Sequence, residues 1–501
     1  MLTQVQANPR RWTALIFISL AQLMVVLDAT VVNIALPAAQ QGLGISDGNR
    51  QWVITAYMLA FGGLLLFGGR IADIAGRKRI FIIGLLGFAA ASAFGGIAVN
   101  TGMLLGARAL QGGFGALLAP AALSLLAVTF TEGRERAKAI GVFSSVASAG
   151  GAVGLILGGV LTQYLNWRWA MFINIPIALI AAAGAFRAVS DVPGARNRDK
   201  LDIPGVMLAT TGLVALVYGF TRAESEGWTD VWPLGSFAAS AVLLAGFVLV
   251  ELKVAHPLLP LRVLTERNRA GAYSGLGIAA IGLFGLFLFL TYYLQLVKGW
   301  SPAVTGLAFL PMIVSMIFGS MQIAARLMNR VTPRLVMGLG FLVAALGMLI
   351  LTQLKVDSSY AGLVLPGMIV LGLGMGTGFM AAMSLATYGV EPRDAGVASA
   401  MINISQQVGG SIGTALLNTV AASVTTAYLL DHRRSSNLVN EAAVHGYATA
   451  TWWAVGALAL AGVLALTLVN VHRLGGGGAA GGSGAADDKN AGDASLPVMM
   501  H

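Results

Sequence analysis

The 501-residue chain contains no cysteine and few charged residues. Without cysteine it can form no disulfide, no catalytic thiolate and no cysteine-ligated metal site. Charged residues make up 10% of the chain and hydrophobic residues 57%, whereas a soluble domain carries about 25% charged residues. The composition therefore excludes a soluble globular protein.

Signatures of two functional classes are also missing. No G-x-x-x-x-G-K-[ST] loop is present, which argues against an ATP-driven pump. The five histidines are scattered along the chain, which argues against an intramembrane enzyme. "GLGMGTGF" (372–379) has Thr377 where a dinucleotide-binding loop would have its last glycine, and we interpret it as a helix-packing segment. We expect no enzymatic activity, no metal and no cofactor.

Long apolar runs recur from one end of the chain to the other. Each has about 20 residues, enough to cross a bilayer core of roughly 30 Å, and the 65 glycines suit helices that pack closely. The sequence therefore predicts an all-α membrane protein. The breaks between the runs place fourteen transmembrane helices near 12–36, 51–70, 80–99, 103–130, 138–162, 168–187, 204–222, 234–253, 270–296, 304–325, 335–353, 361–387, 396–424 and 449–472.

Charge placement predicts the orientation of these helices. Most of the 31 Lys and Arg residues lie in short clusters in alternate loops, and the positive-inside rule assigns such loops to the cytoplasm. Both termini are then cytoplasmic. The net charge of +10 is a topology signal rather than a nucleic-acid-binding surface. The Ala-, Gly- and Arg-rich composition favours the plasma membrane of a bacterium.

Two short sequence matches indicate an internal duplication. "GRIADIAGR" (69–77) resembles "ARLMNRVTP" (325–333), and "GGAVG" (150–154) resembles "GGSIG" (409–413), at nearly the same offset. The alternative is that glycine-rich helices look alike by chance. Two related halves would place a substrate site near the membrane midplane between them. The predicted division is a six-helix bundle in 1–187, two inserted helices in 188–260, a second six-helix bundle in 261–474 and a flexible tail in 475–501.

Four motifs carry a family resemblance: "LDATVVNIALP" (27–37), "GGRIADIAGRKR" (68–79), "RALQGGFGA" (108–116) and "GGAVGLILGG" (150–159). With "NWRWAMFINIP" (166–176) and the helix count, they resemble the fourteen-helix drug:proton antiporter branch of the major facilitator superfamily. The resemblance implies two six-helix bundles with two inserted linker helices. It also implies proton-driven export of hydrophobic cationic or neutral drugs or antibiotics by alternating access.

Other functions remain open at this point. One alternative is a narrow exporter of a single endogenous metabolite or lipid, and another is a membrane receptor or scaffold that does not transport. Buried charges argue against the receptor, because they are costly without a task to perform. The expected partners are a hydrophobic small molecule, protons and the lipid bilayer, with no nucleic acid, and the expected state is a monomer.

Asp28 is the only acidic residue well inside a predicted helix. A charged side chain at membrane depth costs about 2.5–3.5 kcal/mol on insertion scales. A carboxyl in a low dielectric can exchange protons near neutral pH, and when ionised it attracts a cation. Proton and cationic substrate would then compete for Asp28. The alternative is a structural aspartate that never titrates.

Arg108 is the only basic residue at membrane depth, and Gln111 follows it on the same helix face. A buried guanidinium needs partners. The family resemblance implies a role for Arg108 in proton coupling, which suits a permanent positive charge near a carboxyl. The alternative is a brace that binds backbone carbonyl groups.

Two glycine-containing motifs suggest a conformational switch. The resemblance implies that the loop after the second helix stabilises one state of the transport cycle, although Ile74 stands where the family usually has a second arginine. In the fifth helix, Leu155 replaces the usual proline, so a hinge and plain helix packing are both open. The switch residues so predicted are Arg70, Asp73, Gly76, Arg77, Lys78, Gly154, Gly158 and Gly159.

Residues of the substrate site are inferred from their chemistry. Tyrosine rings can stack on flat aromatic or cationic molecules, and Asn403 and Gln407 share one helix face at i, i+4. The predicted substrate-binding residues are Asp28, Tyr57, Gln111, Tyr292, Asn403 and Gln407.

Overall fold

The computed structural model describes residues 10–130, 132–189, 202–254, 264–328, 330–390, 395–432 and 437–470, together with Leu259. The side chains of some helical residues, Asp73 among them, lie outside this description. The described chain is helical, as predicted. We number its helices α1 Arg11–Leu43, α2 Trp52–Ala75, α3 Arg77–Gly96, α4 Thr101–Thr129, α5 Gly133–Tyr164, α6 Trp169–Ala188, α7 Ile203–Glu226, α8 Val231–Lys253, α9 Arg267–Val297, α10 Pro302–Leu327, α11 Pro333–Leu351, α12 Tyr360–Thr387, α13 Ala395–Asp431 and α14 Leu438–Leu468.

Thirteen helices of the described chain are long and apolar enough to cross a membrane. Among the described residues of α5, the apolar helix found is Ala149–Tyr164, which is shorter than a full span. A count of fourteen spans therefore stays a prediction.

The first helix, predicted to end near residue 36, continues through Pro37 to Leu43. Neighbouring helices make the loss of one helical hydrogen bond tolerable inside a membrane bundle.

The glycine motifs make the same kind of contact in both halves of the chain. In the first half, a β-carbon at Gly154 would lie 3.2 Å from the Leu27 carbonyl oxygen on α1. In the second half, a β-carbon at Gly413 would lie 2.4 Å from the same type of atom on Ile281 of α9. The matched motifs thus bring α5 against α1 and α13 against α9, an equivalent contact in each half of the chain.

The two halves meet at the end of the bundle where α1 ends and α2 begins, which we call the Arg50 end. Here α5 packs against α10 through glycines on both sides. A β-carbon at Gly159 would lie 2.5 Å from the Pro302 carbonyl oxygen, and one at Gly306 would lie 2.2 Å from the Leu155 carbonyl oxygen. The Gln295 amide of α9 also donates to the Ile34 carbonyl oxygen of α1 at 3.0 Å. These contacts join the halves closely.

The inserted helices α7 and α8 pack on each other, and α7 contacts both halves. The Thr210 hydroxyl of α7 donates to the Gly63 carbonyl oxygen of α2 at 3.3 Å. On the other side, the Thr419 hydroxyl of α13 donates to the Phe220 carbonyl oxygen of α7 at 3.0 Å. Because it bonds to α2 and α13 together, α7 is a structural bridge and not only a linker.

Candidate functional site

The centre of the site is an ion pair between α1 and α4 inside the first half. The Arg108 Nη1 atom lies 2.6 Å from the Asp28 Oδ2 atom. Asp28 is 0% exposed and Arg108 is 1% exposed. Asp28 is therefore not a lone carboxyl. Its charge at membrane depth is offset by the other charge that the sequence places there.

Two amide side chains complete the hydrogen bonding of Asp28. The Gln111 amide donates to Asp28 Oδ1 at 3.0 Å, and the Asn174 amide of α6 donates to the same oxygen at 2.7 Å. Gln111 Nε2 also lies 2.7 Å from the Ser92 hydroxyl of α3. The carboxylate thus accepts three hydrogen bonds, from Arg108, Gln111 and Asn174.

Arg108 has partners beyond Asp28. Its Nε atom donates to the Val53 carbonyl oxygen of α2 at 2.9 Å, and its Nη1 atom donates to Gln111 Oε1 at 2.9 Å. The centre of the guanidinium lies 4.5 Å from the centroid of the Tyr57 ring. The backbone brace considered above exists, therefore, but it holds the same arginine that pairs with the carboxylate.

This polar cluster of Asp28, Ser92, Arg108, Gln111 and Asn174 draws on α1, α3, α4 and α6, with α2 supplying a carbonyl group. Each charge depends on the other, because an isolated charge in a low dielectric is very unfavourable. Protonation of Asp28 would leave the guanidinium without its counter-ion. The cluster therefore links five helices through a single pair of opposite charges.

A substrate cannot reach Asp28 in this conformation, because the carboxylate is fully buried. Its role in substrate binding stays a prediction. The two predicted tyrosines lie in different places. Tyr57 stacks on Phe61 with 5.7 Å between ring centroids and covers Arg108, whereas Tyr292 lies at the Arg50 end, where its hydroxyl donates to Gln40 Oε1.

The two predicted amides of α13 are half-buried and apart from the polar cluster. The Asn403 amide donates to the Ser399 carbonyl oxygen of its own helix at 3.1 Å. Gln407 faces α2, and a β-carbon at Gly62 would lie 3.1 Å from the Gln407 β-carbon. The structure thus does not bring these amides together with Asp28.

The predicted switch loop forms a tight joint between α2 and α3. Gly76 has φ of +99°, a backbone conformation that favours glycine. The Lys78 ammonium donates to the Phe186 carbonyl oxygen of α6 at 2.9 Å, so it ties helices of one half together. Arg70 and Arg77 are half-buried at the same joint. The Asp73 side chain lies outside the described residues, and its role stays a prediction.

The three predicted switch glycines of α5 make packing contacts with two different helices. Gly154 and Gly158 face α1: a β-carbon at Gly158 would lie 2.8 Å from the Val31 α-carbon. Gly159 faces α10 of the other half. Since α5 is one continuous helix from Gly133 to Tyr164, these glycines serve as close-packing positions in this conformation. A hinge at Leu155 stays untested.

Sequence reasoning missed two members of the polar cluster. Asn174 lies in the motif "NWRWAMFINIP", where an asparagine within an apolar run was the available signal. Ser92 carried no signal, because a serine is common in packed membrane helices.

A second polar group, at the Arg50 end, was also missed. Arg50 is only 5% exposed, although the sequence places it in a loop. Its Nε atom donates to Asn418 Oδ1 of α13 at 2.9 Å, and its guanidinium lies 4.2 Å from the Tyr292 ring centroid. The Asn418 amide in turn donates to Gln51 Oε1 at 3.0 Å. Arg50 of the first half is thus buried against α9 and α13 of the second half.

A buried ion pair inside a bundle of membrane-spanning helices, with its halves joined at one end, is typical of membrane transporters. The sequence profile described as "Major Facilitator Superfamily" matches residues 18–414. The chain belongs to the major facilitator superfamily.

Several curated relatives are similar over most of the chain. The puromycin resistance protein of Streptomyces alboniger is 51% identical over 92% of this chain and 92% of its own length. The cephamycin export protein of Amycolatopsis lactamdurans is 37% identical, covering 83% of this chain and 86% of its own. The lincomycin resistance protein of Streptomyces lincolnensis is 37% identical, covering 81% and 83%.

Solved structures share the fold. A bacterial homologue of the human lysosomal transporter Spinster, in an inward-facing and occupied conformation, has a TM-score of 0.68 at 16% identity. The match covers 91% of this chain and 96% of that one. The predicted family and fold class are therefore confirmed.

The geometry of the ion pair predicts an asymmetry in stability. Asp28→Asn leaves the Arg108 guanidinium buried without a counter-ion, which should cost about 3–5 kcal/mol. The double variant Asp28→Asn with Arg108→Gln removes both charges and should recover much of that loss. Thermal unfolding of the three purified proteins in detergent measures the effect. A single variant as stable as the wild type would show that the pair does not hold the five helices together.

Proposed function

We propose that this protein exports hydrophobic antibiotics or similar drugs from the cytoplasm in exchange for protons. The observation that supports this proposal is the buried Asp28–Arg108 pair, because a proton that neutralises Asp28 removes the attraction that holds Arg108 beside it. The proton gradient, and no bound cofactor, supplies the energy in this proposal. Export fits the curated relatives, which are named for antibiotic resistance or export.

Puromycin is the first substrate to test, because the relative that is 51% identical is named for resistance to it. The relatives named for cephamycin and lincomycin indicate that similar chains handle chemically different molecules. We therefore place a small antibiotic ahead of an endogenous lipid or metabolite. The acting form in this proposal is a monomer in the plasma membrane of a bacterium.

Proton exchange in this proposal takes place at one Asp28 carboxylate oxygen. When a proton binds, the O–H group no longer attracts the Arg108 guanidinium as an anion does, and the 2.6 Å contact weakens. The arginine keeps its bonds to Val53 and Gln111 and can shift with α4 relative to α1. Loss of the proton restores the pair. The cycle thus links protonation to the relative positions of helices.

The orientation follows from the charge pattern. With the basic loops in the cytoplasm, the Arg50 end lies on the outer face, and the halves are joined there. This conformation is then closed to the outside. Export requires an outward-open state, so the contacts of Arg50 with Asn418 and Tyr292 must break in every cycle. We interpret Arg50, Asn418 and Tyr292 as the outer gate.

A transport assay with Arg108→Lys tests the proposed coupling. Lysine has one nitrogen, whereas Arg108 uses two nitrogens for Val53, Asp28 and Gln111, and a buried lysine can also lose its proton. Puromycin uptake into inverted vesicles with an imposed pH gradient should fall by at least about tenfold, the loss of about one strong hydrogen bond. Uptake near the wild-type rate would contradict the coupling role of Arg108.

The control for that assay is Arg222→Lys. Arg222 binds Tyr218 and Glu226 on α7 itself, at the surface of the inserted helices and away from the polar cluster. It should transport as the wild type does. A wild-type protein that takes up no member of a panel of antibiotics and dyes under a pH gradient would overturn the proposed function itself.

The outer gate generates a separate prediction. Arg50→Ala removes the hydrogen bond to Asn418 and the stacking on Tyr292, and should shift the population towards the state open at the Arg50 end. The chain has no cysteine, so spin labels attach only at introduced cysteines. Labels at Ser46→Cys and Asp357→Cys, on loops of different halves at this end, should show a larger population of long distances.

Arg168→Ala is the matched control for the gate. Arg168 also lies at the Arg50 end, but it donates to the carbonyl oxygens of Gly96 and Ala98 in its own half, at 3.1 and 2.5 Å. Its loss should leave the distance distribution between the labels unchanged. Identical distributions for wild type and Arg50→Ala would show that Arg50 is not part of the gate.

A further inference from the structure

A cavity of about 480 Å³ lies between the two halves and the inserted helices. The walls come from Leu259 and from five helices: α2 of the first half, α9 and α13 of the second, and both α7 and α8 of the insert. We call it the insert pocket. Its side chains are mostly aliphatic or aromatic and include Leu66, Leu213, Phe247, Ile281, Ile404 and Val408.

The lining of the insert pocket carries no charge among the described residues. Its polar side chains there are Tyr273, Ser274 and Ser405, and the Tyr273 hydroxyl already donates to the Ala386 carbonyl oxygen at 3.1 Å. A charged ligand would lose its hydration without gaining a counter-ion. An uncharged apolar ligand gains from burial, and the volume lies in the range of about 300–1,000 Å³ typical of drug-sized sites.

The insert pocket lies where the two halves must move. Gly62 of α2, in the wall of the pocket, contacts Gln407 of α13. From there the pocket extends to Tyr273 and Met401, away from the Arg50 end. Because α2 and α13 belong to different halves, opening of the gate changes the shape of the pocket. The affinity for a ligand held there would then differ between the conformational states.

We propose that the insert pocket binds the uncharged hydrophobic substrates of this transporter, with α7 and α8 as part of the binding wall. The inference rests on the proposed export function and names a substrate class for it. Asp28 does not line the pocket. Uncharged substrates are then bound without contact to the carboxylate, and the coupling between proton and substrate passes through the movement of the helices.

Binding of Nile red, an uncharged hydrophobic dye, to the purified full-length protein tests this proposal. Ala209→Trp places an indole in the pocket from α7 and should weaken Nile red affinity by about tenfold or more, because overlap in a packed site is unfavourable. Val214→Trp is the control: Val214 is on the same helix, is 41% exposed and does not line the pocket. It should keep the affinity within about twofold.

A second filling variant guards against misfolding. If Ala209→Trp does not elute as a folded protein, Ile404→Trp fills the pocket from α13 and should give the same loss. Equal Nile red affinity of the wild type and a folded filling variant would overturn the proposal. So would a phospholipid that copurifies with the wild type, is lost from the filling variant and is not displaced by Nile red, since the pocket would then be a lipid site.

The export function and the assignment of the insert pocket can fail independently of each other. If vesicles with wild-type protein take up no drug under a pH gradient, export is wrong, whatever the binding assay shows. If uptake is normal but the folded filling variant binds Nile red as the wild type does, export stands and the pocket assignment is wrong.

Discussion

The structure depends on the mutual compensation of two buried charges, Asp28 and Arg108. Neither charge is tolerable at membrane depth alone, and together they form a contact of 2.6 Å that reaches into five helices through Gln111, Asn174 and the Val53 carbonyl group. Such a pair contributes little net stability compared with an apolar core of the same shape. In the proposed function, its value lies instead in its response to a proton.

Proton binding and substrate release involve different parts of the proposed cycle. In the proposed cycle, neutralising the carboxylate acts on helix positions within the first half, whereas the substrate is released by movement between the halves. The Arg50 contacts and the glycine contacts of α5 with α10 join the halves at one end. The inserted helix α7 bonds to α2 and α13, so it follows both halves during any such movement. The inserted helices are therefore placed to contribute to substrate binding, as proposed for the insert pocket.

Much of this architecture is readable from the sequence. Runs of apolar residues predict the helices because a bilayer admits few other structures, and the motif order predicts the family, which the profile match confirms. Asp28 and Arg108 stand out because each is a charge within an apolar run. Their direct contact does not follow from the sequence, since 80 residues separate them and only packing of α1 against α4 brings them together.

The surroundings of other residues do not follow from the sequence, for physical reasons. Arg50 reads as an ordinary loop arginine, and its burial arises only when the second half covers the loop. Tyr57 and Tyr292 read as ligand-stacking rings; in this conformation each one packs on an arginine, and a role in substrate binding stays a prediction. The insert pocket has no sequence signal either, because apolar residues that line a cavity are the same as those that face lipid or a neighbouring helix.

The most direct test of the account is proton release from the purified protein on addition of substrate. Puromycin added to the wild type in weakly buffered detergent solution should release protons, because in the proposed cycle substrate and proton exclude one another at the transporter. Asp28→Asn should bind puromycin and release none. Equal proton release from the wild type and Asp28→Asn would show that the exchanged proton lies elsewhere and that Asp28 is a structural aspartate.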